Sequence, residues 1–133
     1  MCIRDRHTTD PGRALGFYSA VFGWECDPGA AAGMVRLPGY GAHLAATVDP
    51  DIHERQASAP PGFADVVAGV AVSRDAPVWR VRFTVADRDA SVATAERHGA
   101  VVLSSADTPW TREAVIRDPQ GAELTVSQFT PPA

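Results

Sequence analysis

The chain has 133 residues, 45% of them hydrophobic, and a formal net charge of -4. That length suits one domain with a packed core and is short for two ordinary ones, and the apolar content excludes a disordered segment. It contains no Lys/Arg block, no bilayer-length apolar run and no signal-peptide core, which argues against nucleic-acid, anionic-membrane and membrane-spanning roles.

At the N-terminus, the codons ATG TGT ATA AGA GAC AGR would encode Met1-Cys2-Ile3-Arg4-Asp5-Arg6. Most of that DNA matches the end of a sequencing-library transposon adapter. Residues 1–6 are therefore expected to be adapter-derived, in a metagenomic reading frame whose natural chain starts near His7. The alternative is that Met1 is genuine and Ile3 to Arg6 form a first strand. Cys2 and Cys26 make neither a disulfide framework nor a zinc spacing. Cys26 reads as a small apolar strand residue, and a reducing, cytoplasmic setting is expected.

Next comes a helix. Thr9 or Asp10 suits its N-cap, Pro11 its first position, and Gly23 the left-handed residue after it. Leu15, Tyr18 and Phe22, flanked by Ala14, Phe17 and Val21, give a broad apolar face at helical spacing. Gly33 to Leu37 and Ala42 to Val48 read as short strands, and Asp49 to Ala57 as a short helix. Residues 58–62 form a Pro/Gly loop, and Asp65 to Val72 another strand. The same grammar then repeats. Val81 to Val85 alternates as a half-buried strand, Asp87 caps a helix from Arg88 to His98, Gly99 ends it, and Ala100 to Leu103 extends again. Finally, Glu113 to Arg117 and Ala122 to Phe129 flank Asp118-Pro119-Gln120-Gly121, a type I turn signal. The predicted class is α+β, with each helix covering one face of a largely antiparallel sheet.

The run from Asp10 through Ala14-Leu-Gly-Phe-Tyr-Ser-Ala-Val-Phe-Gly-Trp24 resembles the first-helix signature of the vicinal oxygen chelate (glyoxalase/bleomycin resistance protein/dioxygenase) superfamily. Asp118-Pro-Gln-Gly-Ala-Glu-Leu124 resembles its late-hairpin motif. The phrases Phe83 to Asp89 and Ser127 to Pro132 are similar to an actinobacterial-type, glyoxalase-like subgroup. The resemblance covers about Thr8 to Pro132. It implies two βαβββ modules forming a cupped, mostly antiparallel sheet with helices on the outer face.

In metal-dependent relatives, ligands stand on the first and last strands of the modules. Seven residues before each capping Asp, those positions fall on Ile3 and Arg80; seven after Asp118, on Thr125. Arg cannot ligate a divalent cation, and Thr is a poor ligand beside His and carboxylate. Asp65, at a strand edge, is the one possible ligand in its region. No metal and no other cofactor is therefore expected, unless the ligand set is completed elsewhere.

Strand parity sends Val81, Phe83, Val85, Leu124 and Val126 toward the helix. Arg80, Arg82, Thr84, Thr125 and Ser127 then face the cup. Arg80 and Arg82 could hold a carboxylate or other anion, helped by the hydroxyls of Thr125 and Ser127; solvated arginines on an open sheet face are the plain alternative. His7 shares parity with position 3 and could act as a base or hydrogen-bond donor, or it could be structural. Trp110, in the loop 107–111, could lid the cup or pack on its own loop. His43, His53 and His98 read as structural or surface residues, Trp24 and Trp79 as core or interface, and Glu113 and Glu123 as solvated. The candidate pocket is thus His7, Arg80, Arg82, Trp110, Thr125 and Ser127, with no catalytic group assigned. Three functions stay open. One is a metal-free module binding a small polar organic ligand. Another is a metal-dependent lyase, isomerase or dioxygenase completed by upstream residues or a partner subunit. The last is an accessory half of a tandem protein, pairing with a second such domain or homodimerising.

Overall fold

The computed structural model describes residues 2–26 and 33–132, with side chains from Arg4 onward. Two compact units emerge, Asp5–Trp79 and Arg80–Ala133, the latter grouped with Met1–Arg4. Both use one strand plan.

In the Asp5–Trp79 unit, β1 (Cys2–Thr8) leads into α1 (Pro11–Phe22), followed by β2 (Glu25–Cys26), β3 (Met34–Arg36) and β4 (Val66–Val72). The order across the sheet is β2-β3-β4-β1, antiparallel except for the parallel pair β1/β4. Asp10 caps α1 by accepting the Arg13 N–H at 3.0 Å, and Gly23 closes it at φ 66, as the sequence predicts. Val35, Ile52 and Ala68 are buried. Phe17, Val21 and Phe22 stay exposed, so the wide apolar face of α1 is only partly covered. Tyr18 gathers Phe22, Trp24 and Trp79 around it, and its hydroxyl accepts the Trp79 indole N–H at 3.0 Å. Trp24 and Trp79 therefore belong to one aromatic cluster.

The expected strand Ala42 to Val48 is instead a helix, α2 (Tyr40–Thr47), followed by α3 (Ile52–Arg55) and a single 3-10 turn, Phe63–Asp65. Alternating Ala42, Leu44, Ala46 and Val48 suggested a strand, yet Ala and Leu favour helix when no β-branched run opposes them. Asp65 supplies the missing anchor. Its Oδ1 accepts the Gly41 N–H at 2.7 Å, satisfying one of the helix's orphan donors. His43 and His53 consequently sit exposed on α2 and α3.

In the Arg80–Ala133 unit, β5 (Val78–Thr84) leads into α4 (Arg88–Arg97), then β6 (Val101–Asp107), β7 (Thr111–Arg117) and β8 (Glu123–Phe129). Strand order is β5-β8-β7-β6, with β5/β8 parallel and the others antiparallel. First strand beside last, helix between first and second: each unit repeats the other's topology, which is the duplication the sequence suggested. Asp87 caps α4 through the Ala90 N–H at 2.9 Å, and His98 is its C-cap. One sheet face carries the core of Ala114, Ile116 and Val126, against which Val85, Val92, Ala95, Val102 and Leu124 pack. Leu124, Val126 and Val85 thus meet α4 as parity predicts. Val81 and Phe83, expected there too, remain 40% and 45% exposed because α4 lies over β6, β7 and β8.

Mixed strands with helices on the apolar faces make this an α+β fold. Among the described residues no helix is long and apolar enough to cross a membrane.

Candidate functional site

Register determines which side chains share the second, polar face of the Arg80–Ala133 unit. Arg82 stands opposite Thr125 and Thr84 opposite Ser127 across β5/β8. Across β7/β8, Thr111 faces Phe129, Glu113 faces Ser127, Val115 faces Thr125, and Arg117 faces Glu123. Since alternate residues share a face, this surface carries Arg80, Arg82, Thr125 and Ser127 together. Trp110 joins its far end, stacked on Phe129 with centroids 6.1 Å apart and planes 19° apart. Its backbone oxygen accepts the Thr130 N–H at 2.8 Å, so the loop is pinned to β8. His7 belongs to the other unit, half-buried on β1 in register with Ala71.

Glu113, expected to be solvated, is the organising group of this face. Its carboxylate pairs with Arg82 and accepts the Thr111 hydroxyl at 2.8 Å and the Ser127 hydroxyl at 3.5 Å. Thr125 and Ser127 are 5% and 4% exposed. Behind the sheet, buried Arg88 donates Nη1 to the Glu113 carbonyl at 2.9 Å, and the Arg88 N–H reaches the Gln128 side chain at 3.0 Å. The N-terminus of α4 therefore fixes β7 and β8 from below. Arg112 reinforces it by binding Asp89 at 2.9 Å. Asp89 itself is pulled down in pKa: burial works against this, and the Arg112 and Arg88 charges and hydrogen bonds outweigh it.

Arg80 also has a carboxylate partner. Glu123 Oε2 accepts its Nη2 at 2.8 Å, while Arg117 donates to Oε1 at 2.9 Å. Glu113 and Glu123, expected to be solvated, and Thr111 and Arg117, not singled out in the sequence, complete this face. The signal was present in the turn Asp118–Gly121, which sets the β7/β8 register and with it the facing pairs.

Among the described residues, the positions where the resemblance places cation ligands do not present a fitting donor set. Arg80 is committed to a carboxylate, Thr125 offers one neutral hydroxyl, and Asp65 is held by the Gly41 N–H. Among the described residues no three His, Cys, Asp or Glu side chains gather as cation ligands. The Ile3 side chain lies outside the described residues.

Residues 1–127 match the family model described as "Glyoxalase-like domain". No curated protein matches the chain. Among solved structures, it is similar to a glyoxalase/bleomycin resistance protein/dioxygenase superfamily member from Vibrio splendidus 12B01. The TM-score is 0.57 at 11% identity, covering 96% of this chain and 97% of that one. TnmS3, an antibiotic binding protein from Streptomyces sp. CB03234, aligns at TM-score 0.34 and 18% identity, over 95% of this chain and 92% of its own. TioX from Micromonospora sp. ML1 aligns at TM-score 0.32 and 16% identity, with 95% of both chains covered.

Proposed function

Since the chain belongs to the glyoxalase-like domain family, we propose that it binds a small polar organic ligand on the polar sheet face, without a metal. One observation carries this reading. Two well-buried hydroxyls, Thr125 and Ser127, share a face with a carboxylate, Glu113, that is already fixed by Arg82 and Thr111. Such a surface is preorganised, so little ordering cost falls on binding. Donors and acceptors are interleaved: Arg82 and the Thr111 and Ser127 hydroxyls donate to Glu113, and Thr125 adds a further hydroxyl. The Trp110–Phe129 stack adds an apolar wall at one end. A face of this mixed character suits ligands with both polar and apolar parts.

The test is a titration of the full chain with small amides and carboxylic acids in excess chelator, followed by amide NMR. Saturable shifts at Thr111, Glu113, Thr125 and Ser127 would support the reading. Binding that appears only with an added divalent cation would favour the metal-dependent enzyme instead.

Pairing with a second such domain, or with another copy, is part of the same proposal. Its support is exposed apolar side chains in each unit taken by itself, Phe17 and Phe22 on α1 in one and Val81 and Phe83 on β5 in the other. Light scattering over a concentration series checks it. A mass that stays monomeric up to high micromolar concentration would oppose homodimerisation.

A further inference from the structure

Where β7 turns into β8, the polar face ends in a charge arrangement unlike the one at Glu113. Glu123 offers a single carboxylate to two guanidiniums on different strands, with Arg80 on Oε2 and Arg117 on Oε1. The side chains of Arg80, Glu123 and Arg117 are 20%, 33% and 47% exposed, so the corner is open to solvent. Asp118, next in sequence, spends its Oδ1 inside the turn on the Gln120 and Ala122 N–H groups, both at 2.9 Å. Arg82 has Glu113 as its carboxylate, whereas Arg80 and Arg117 share theirs. A guanidinium has five N–H donors and a carboxylate about four lone-pair sites, so two guanidiniums outmatch one carboxylate. Two guanidiniums flanking one carboxylate, one per oxygen, form a carboxylate-binding fork whose current occupant is the protein's own side chain.

We propose that Arg80 and Arg117 form the receptor for a ligand carboxylate, and that Glu123 is an internal stand-in which the ligand displaces. The inference rests on the ligand-binding reading above and names the ligand class as a small organic carboxylate. Its remainder would lie along β8 toward Thr125, which follows Glu123 on the same face. In this proposal Arg117, rather than Arg82, joins Arg80 at the anion.

A purely structural ion bridge and a displaceable stand-in differ in what Glu123→Gln does. The amide is a poorer occupant, because it is neutral and turns one donor group toward the arginines. An added carboxylate should then bind more tightly, by about two- to fivefold, the range in which exposed ion pairs compete. The probe is acetate, titrated at constant ionic strength into the labelled full chain and read at the Nε–H signals of Arg80 and Arg117. Saturable shifts of both signals are expected in the wild type, tighter saturation in Glu123→Gln, and their loss in Arg117→Gln. Glu96→Gln, which removes one exposed charge from α4, should behave as wild type. Glu123→Ser reads the same effect should Glu123→Gln lose its amide dispersion. Absence of saturation in both wild type and Glu123→Gln overturns the proposal, and so does equal tightening in Glu96→Gln. If acetate fails while other ligands still shift Glu113, Thr125 and Ser127, the fork alone falls; if neither responds, the ligand-binding reading falls with it.

Discussion

Glu113→Ala removes the group that organises the polar face, and its cost can be judged from what it leaves behind. Arg82 loses its carboxylate partner here, and the hydroxyls of Thr111 and Ser127 lose an acceptor. The Arg82 and Glu113 side chains are 27% and 20% exposed, so neither is a surface pair nor fully dry. A hydrogen bond to a charged group contributes about 1.5–3 kcal/mol when buried; partial access of water and reorientable hydroxyls bring the expected loss to the lower part, about 2 kcal/mol. For a chain of this size, that corresponds to a fall in Tm of roughly 5–10 °C. Glu113→Gln keeps an acceptor oxygen and should lose about half as much. Urea titration with calorimetry measures both. A Glu113→Ala protein within about 0.5 kcal/mol of wild type, the usual span of neutral surface changes, would refute the claim that this carboxylate orders the face.

At Gly41 the constraint is steric. A Cβ there would lie 2.6 Å from the Ala64 Cβ and 3.1 Å from the Ala64 carbonyl carbon, so Gly41→Ala should destabilise by about 1–3 kcal/mol, measured by urea unfolding. Glu123 gives a pH signature. The hydrogen bond from Arg117, opposed by partial burial and aided by the Arg80 and Arg117 charges, holds its carboxyl below the ordinary carboxylate range. A carboxylate with a depressed folded-state pKa contributes stability above its unfolded value, and that contribution disappears as the pH falls through the folded value. A carboxyl-carbon NMR titration should place Glu123 low in the wild type and higher in Arg117→Gln. An unmoved titration would contradict the bridge.

Much of the fold was legible because its signals are local. Asp10, Pro11 and Gly23 bound α1, Asp87 and Gly99 bound α4, and Asp118 to Gly121 sets the last hairpin, each by its own backbone chemistry. The Ala42 to Val48 segment misled because its Ala and Leu fit either period, and what settles it is a distant acceptor, Asp65. Parity placed Arg82, Thr125 and Ser127 on one face correctly, since a strand has only two faces. It could not reveal their partners. Glu113 and Glu123 looked solvated in sequence because pairing depends on register between strands, and the exposure of Val81 and Phe83 depends on how far α4 reaches.

The most direct test of the account combines metal analysis with amide-resolved ligand titration on one purified sample of the full chain. No stoichiometric metal is expected, and saturable shifts should appear at Glu113, Thr125 and Ser127 in excess chelator. One bound metal per chain, with ligand response abolished on its removal, would contradict it.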